Sequence, residues 1–346
     1  MFFARKYVQS PLMPAFLWGG MLSMFFGTAP VRAQDFSEKA GTAEFQYLET
    51  LVFARPAGLA GAYTSLAQGL DAVGYNPAGL SKLEGSRSVA ATFRYHLLEI
   101  ASGNATYAYV GAGGMAYAFS AAYINYGRID EMTENGEATG NRLLPASFNP
   151  SFSAARKVNE KIRLGATVRG MSEYLGDFEG SEMALGWGVD VGMQYQPNVR
   201  NLGFGLALLN AGRKETPHFT GGSTGGALPT SLKAGMFYFP IDIPKARVSV
   251  DAEIPWHDAP RLSGGLEYAY SSNLIVRAGS RLDWTEARYY LLKITDDRSG
   301  DLQGGNALKF AGGFSFLADG AGVDYAVQYW HGLSWVHALT LRYAIQ

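Results

Sequence analysis

The segment MALGWGVDVGMQYQ, residues 183–196, decides the fold. Met183, Leu185, Trp187, Val189, Val191, Met193 and Tyr195 fall on one side of a period-two alternation. Ala184, Gly186, Gly188, Asp190, Gly192, Gln194 and Gln196 fall on the other. Successive side chains of a strand point to opposite faces, so this is a strand with one greasy face and one small or polar face. The theme recurs outward from it. Val323, Tyr325, Val327 and Tyr329 oppose Asp324, Ala326, Gln328 and Trp330. At the C-terminus Trp335, His337, Leu339, Leu341, Tyr343 and Ile345 oppose Val336, Ala338, Thr340, Arg342 and Ala344.

Two architectures use such strands. A sandwich buries the apolar face between two sheets. A membrane barrel turns it to lipid and keeps the polar face inside. Fourteen candidate strands lie near 87–98, 103–111, 114–127, 146–157, 161–174, 183–196, 201–211, 229–239, 246–255, 261–271, 273–282, 306–318, 321–331 and 335–345. Every second one is followed by a short connection such as VNEK, PNVR, SS or DG, and most others by long polar ones such as 128–146, 212–229 and 283–305. Short turns at one end and long loops at the other, with an even strand number, are the layout of a membrane barrel. The reading is therefore an all-β fold, a transmembrane antiparallel barrel of about fourteen strands. ARYYLLKI, residues 287–294, is open between a further strand pair and part of a long loop.

Composition agrees. The 346 residues include 43 Gly, 20 Tyr and 20 Phe, with 17% charged residues against a typical ~25%. A net charge of −1 offers no basic stripe for nucleic acid. The absence of cysteine excludes disulfides, thiolate catalysis and cysteine-ligated metals. Arg5 and Lys6, then the apolar run 15–29 and Val-Arg-Ala at 31–33, read as an export signal cleaved after residue 33. An uncleaved anchor is the alternative, but the run falls short of the ~20 residues a spanning helix needs.

Charges gather on the inward face. By the alternation Arg94, Arg163, Arg169, Glu173, Asp190, Asp251, Glu253, Glu267, Arg277, Asp324 and Arg342 point away from lipid, where charge is costly. A mutually satisfied network on the lumen wall accounts for them. A lumen of this width lies between barrels filled by side chains and barrels that conduct water, so something has to fill it. Residues 34–86 precede the first strand and do not alternate, yet carry Phe45, Tyr47, Phe53, Leu59 and Tyr63, unlike a disordered tail. They are expected to form a plug with short helices, Pro56 opening one of them. Asn76, Pro77, Ala78 and Gly79 would then fix a buried turn against the inner wall, and residues 87–346 would be the barrel.

The stretch FARPAGLAGAYTSLAQGLDAVGYNPAGLSKL, residues 53–83, resembles the N-terminal signature of the PorV/PorQ family of outer-membrane proteins, with Arg55, Gly58, Gly61, Ala62, Tyr63, Asp71, Tyr75, Asn76, Pro77, Ala78, Gly79 and Leu80 matching. LPTSLKAGMFY, PRLSGGLEYAYSSNLIVRAGSR and GVDYAVQYWHGLSWVHALTLRY are also similar, so the resemblance spans nearly all of the mature chain. The chain departs at its end, RYAIQ, which lacks a terminal aromatic. The resemblance implies a fourteen-stranded, FadL-like barrel in the outer membrane of a Gram-negative-type bacterium. It further implies a non-enzymatic role in type IX secretion, with long loops meeting secretion or surface-attachment proteins and the C-terminal sorting domains of cargo. The Asn-Pro-Ala-Gly turn also occurs in FadL-type transporters. A transporter of hydrophobic small molecules is therefore the rival, although inward charges rather than an apolar path line the expected lumen. An enzyme is not expected. His96, His218, His257, His331 and His337 have no acid fixed by pattern beside them, and GGSTGG (221–226) lacks the strand, helix and Lys of a phosphate loop. No metal-ligand spacing and no cofactor motif occurs.

Overall fold

A computed structural model describes residues 41–50, 53–96, 99–133, 135–178, 180–199, 201–283, 308–330 and 334–345. The expected export signal and residues 287–294 lie outside the described residues. Sixteen strands are present among them: β1 (Arg87–Tyr95), β2 (Ala101–Val110), β3 (Ala116–Asn125), β4 (Ile129–Met132), β5 (Ala138–Leu143), β6 (Ala146–Lys157), β7 (Ile162–Tyr174), β8 (Ala184–Tyr195), β9 (Leu202–Lys214), β10 (Ser231–Tyr238), β11 (Ala246–Pro255), β12 (Arg261–Ala269), β13 (Leu274–Asp283), β14 (Leu308–Ala318), β15 (Ala321–Trp330) and β16 (Ser334–Ile345). Fourteen close into one antiparallel barrel, each beside its sequence neighbour, and β1 against β16 completes the ring. At that seam Arg87 faces Ile345 and Tyr95 faces His337. Closure leaves no unpaired edge, which a sheet in lipid cannot tolerate.

The strand count is the one expected, and the alternation decides the facing. In β8, Leu185, Trp187, Val191, Met193 and Tyr195 are exposed on the outside, while Ala184, Asp190 and Gln194 are buried within. Phe93, Phe119, Val168 and Leu341 are likewise exposed, giving the outward apolar band of a lipid-facing barrel. Among the described residues no helix is long and apolar enough to cross a membrane. The tightest turn, Asp319–Gly320 between β14 and β15, has φ of 39° and 81°, the left-handed pair that a two-residue hairpin requires.

One difference from the sequence reading lies in the polar connection 128–146. It holds the hairpin β4–β5, which pairs only with itself. Its side chains are nearly all exposed on both faces, so no apolar alternation marks it. Pairing also lapses between β6 and β7 at Asn149 and Pro150, between Phe148–Ser172 and Ser151–Arg169, while the register stays the same. Proline has no N–H for the ladder.

Residues 42–50 and 53–86 run against the inward face of the barrel strands, mostly buried from Phe53 to Leu80 and exposed at Glu84–Ser86. They start among the long connections, where Glu44 N donates to Ala227 O, and leave among the short turns, where Ser88 Oγ donates to Glu84 O. Their only α-helix is α1 (Ala54–Gly58), with Pro56 in the first turn, where a missing N–H is harmless. Segments Gln46–Glu49, Gly69–Gly74 and Pro77–Lys82 are 3-10 turns. The core consists of this segment and small wall residues such as Ala90, Ala108, Ala118, Ala326 and Ala338. The molecule is thus packed around its N-terminal chain.

Candidate functional site: the inner segment and its seat

Irregular backbone buried in a barrel must find partners for its amides and carbonyls. The wall supplies them from its polar face. Thr340 Oγ1 accepts from Ala54 N (3.0 Å), and Gln328 Nε2 donates to Ala57 O (3.1 Å). Ser249 Oγ donates to Ala62 O (2.8 Å). The Asp251 carboxylate accepts from Tyr63 N (2.9 Å) and Thr64 N (2.7 Å). Gln194 Nε2 donates to Ser65 O (3.1 Å) and Ala67 O (2.9 Å). These side chains replace the ladder that the segment lacks.

The Asn76–Pro77 turn is seated most tightly. Asn76 is fully buried, and its Nδ2 donates to Thr64 O (2.9 Å) and to Met193 O of β8 (3.0 Å). Its Oδ1 accepts from Ala78 N (3.2 Å) and starts the Pro77–Lys82 turn. Pro77, Ala78 and Gly79 are buried behind it. A Cβ on Gly79 would stand 3.0 Å from Ala67 Cβ, so the turn folds onto its own preceding chain. The wall beneath is glycine by necessity. A Cβ on Gly192 would reach within 2.9 Å of Pro77 Cδ and closer still to Asn76 Oδ1, and one on Gly165 within 2.6 Å of Ala78 N. Gly205 and Gly279 make the same allowance, for Ser65 and Ala60, each at 2.7 Å from the Cβ they lack.

The inward charges divide into separate clusters rather than one network. Arg55 on α1 grips Glu267 of β12 with Nε at 2.9 Å and Nη2 at 3.0 Å, the bidentate fork that favours arginine. Arg277 Nε donates to the same carboxylate (2.6 Å), and Arg247 Nη1 approaches it at 3.8 Å. Next to them Asp324 accepts from Ser315 and faces Arg342 Nε at 3.2 Å and Arg277 Nη1 at 3.6 Å. Asp71 belongs to this cluster. Burial first, and the Asp324 charge second, push its carboxyl up to about 6. Elsewhere Arg169 pairs with Asp190, whose Oδ1 also accepts from Asn210 N (2.7 Å). Asn210, at φ 57°, lies beside the register shift between β8 and β9, so Asp190 holds a bulge in place. Arg94 Nη2 donates to Gln328 Oε1 (2.7 Å) and so orients that amide toward Ala57. Arg163 is apart from these clusters. It stands at the short-turn end beside Lys82, whose amine is lowered to about 8 by burial and then by Arg163.

Glu173 is at the opposite end. It accepts from Tyr126 Oη (3.0 Å) and Ser147 Oγ (2.9 Å) and meets His218 Nε2 (2.9 Å). Serine and histidine both bind the acid, so the imidazole does not stand between them as a nucleophilic triad requires. Below His218 the buried Phe45, Met171, Ala184 and Leu228 form an apolar cluster, with Tyr47 and Leu48 packed on it. Lys214 Nζ pairs with Glu44 (2.5 Å), and Arg261 pairs with Glu49 (3.0 Å) and Asp258. The sequence reading did not single out these anchors. Lys214 and Arg261 sit at strand ends, where alternation fades, whereas Gln194, Gln328 and Thr340 already stood on the polar face.

No family model and no curated protein sequence matches the chain. Solved structures do. The CymD monoaromatic hydrocarbon channel matches with a TM-score of 0.56 at 15% identity, covering 85% of this chain and 98% of that one. The Pseudomonas putida toluene transporter TodX matches with a TM-score of 0.57 at 15% identity, covering 85% and 98%. A Pseudomonas aeruginosa FadL homologue matches with a TM-score of 0.54 at 13% identity, covering 89% and 100%. At such identities the likeness is one of fold: a FadL-like barrel.

Proposed function

We propose that this protein is an outer-membrane channel for apolar small molecules, with residues 42–86 as its movable plug. The observation that carries the reading is the FadL-like barrel, similar over nearly its whole length to hydrocarbon channels, with a segment seated through separable polar contacts. The rival consideration was the charge on the lumen wall. Most of those charges pair with one another or with the plug, and an apolar cluster around Phe45 lies at the long-loop end, where an apolar molecule would arrive. The expected export signal fits delivery to the outer membrane, and no chemistry is assigned to the site. Uptake of a radiolabelled monoaromatic and of a long-chain fatty acid by cells expressing the full chain, against vector-only cells, tests it. Faster uptake of either, altered by Phe45→Ala, is the expected result. Uptake equal to the vector control for both probes overturns it.

The PorV/PorQ resemblance supports a second reading, type IX secretion with sorting domains or attachment proteins on the long loops, because its motifs run in order through most of the mature chain. The fold comparisons favour the channel. Affinity capture from detergent-solubilised outer membranes distinguishes them: recovery of a secretion apparatus or of proteins sharing a C-terminal domain supports the second reading.

A further inference from the structure

At the short-turn end, away from Phe45, a cavity of about 470 Å³ separates the inner segment from the wall. Arg55, Arg247, Arg277 and Arg342 all line it, with Asp71 from the segment. The four guanidiniums share the cavity wall with Asp71, Glu84 and Asp319, and Glu267 and Asp324 stand behind them. Two of the four have donors to spare. Arg277 is buried, its Nε is used on Glu267, its Nη1 stands 3.6 Å from Asp324, and neither Nη1 nor Nη2 donates a hydrogen bond. Arg247 is 42% exposed, lies over the Phe239 ring, and has its nearest carboxylate at 3.8 Å. A buried guanidinium with unmet donors costs free energy that an acceptor would recover. Glu84 and Asp319 at the rim are exposed, so solvent and salt screen their repulsion.

The geometry points to a binding site for a small oxyanion, a carboxylate or phosphate group, held among Arg247, Arg277 and Arg342. Planar guanidiniums bind such groups through paired N–H bonds, and the cavity is roomy enough for the group and its waters. Because the anion would touch Arg277 and Arg342, which also hold Glu267 and Asp324, it would brace the wall around Arg55 of the plug. The inference does not depend on what the barrel conducts.

The test is calorimetric titration of the full chain in detergent with inorganic phosphate, then with acetate, at fixed ionic strength set by chloride. Saturable binding of either is expected, weakened about tenfold by Arg247→Gln and by Arg342→Gln, each of which removes charge-assisted bonds. Arg213→Gln, at the other end of the barrel and paired with Glu215, is expected to bind as the parent does. A parallel titration with a short-chain phosphatidate separates the sources. Competition by phosphate assigns the site to a free anion or a headgroup alike, and binding of the lipid alone, lost in Arg247→Gln, assigns it to a headgroup. Absence of saturable binding for all three probes, or binding unchanged in both arginine variants, overturns the proposal. Arg247→Gln alters a half-exposed side chain and leaves the backbone pairing of β11 with β12 in place, so a folding defect does not cloud the result.

Discussion

Gly192→Ala probes the seat of the plug at one atom. A strand accepts alanine at least as readily as glycine, so the ladder of β8 with β7 and β9 is not weakened. The added methyl would lie 2.9 Å from Pro77 Cδ and overlap Asn76 Oδ1. Asn76 has to move, and its bonds to Thr64 O, Met193 O and Ala78 N go with it. Each lost bond costs about 0.5–1.5 kcal/mol net, and a buried carbonyl left without a donor costs about 1–3 kcal/mol. A total near 3 kcal/mol corresponds to a rise on the order of a hundredfold in the released plug. The chain has no cysteine, so a single Ser65→Cys reports release cleanly. Ser65 is 1% exposed and its hydroxyl has no hydrogen-bond partner, so the reporter itself disturbs little. Thiol labelling in detergent is expected to accelerate by about that factor, while heat-modifiable migration of the barrel on gels stays unchanged. Gly264→Ala, whose Cβ would meet nothing within 4 Å, is the control. A Gly192→Ala labelling rate equal to the control refutes the reasoning, because the plug would then not rest on that glycine.

Arg55→Gln, in the same assay, leaves Glu267 without its bidentate partner and is expected to cost about 3–5 kcal/mol, with Arg55→Lys a poor rescue. The Asp71 carboxyl, raised from 3.8 to about 6 in the seated state, holds its proton there more firmly than in the released state. The sign follows: seating is favoured below pH ~4, weakens as pH rises through that window, and is flat above ~6. Labelling at Ser65→Cys is therefore expected to rise between those pH values, and Asp71→Asn to remove the slope. Deletion of residues 130–142 is expected to leave heat-modifiable migration intact, because β3 and β6 pair fully without the β4–β5 hairpin.

The strands were legible because lipid outside and polar contacts inside impose opposite demands on alternate positions, and β8 obeys both along its whole length. The hairpin β4–β5 escaped because neither demand acts on a loop in water. Alternation also placed Glu267 and Asp251 on the inner face, but not their work. Glu267 holds a guanidinium, whereas Asp251 accepts two backbone amides, and only the path of residues 53–86 distinguishes those tasks. Glycines such as Gly192 read as a small face, without showing whose backbone would lie on it. The preference between secretion and transport could not come from strand patterning, since both readings use the same barrel.

The ring of strands closed by β1 and β16 also limits the routes by which the molecule can be made. Ala54 bonds to Thr340, 286 residues later, and Asn76 to Met193, 117 residues later. Contacts so distant in sequence form late and slowly. A chain segment cannot be threaded sideways through a finished ladder, so the N-terminal chain either lies within the curling sheet before the last seam zips or enters afterwards along the barrel axis. In the first case it acts as a mandrel on which the wall is wound. Once the seam is shut, the mandrel is captive, and whatever displaces it works along the barrel axis or by refolding it in place.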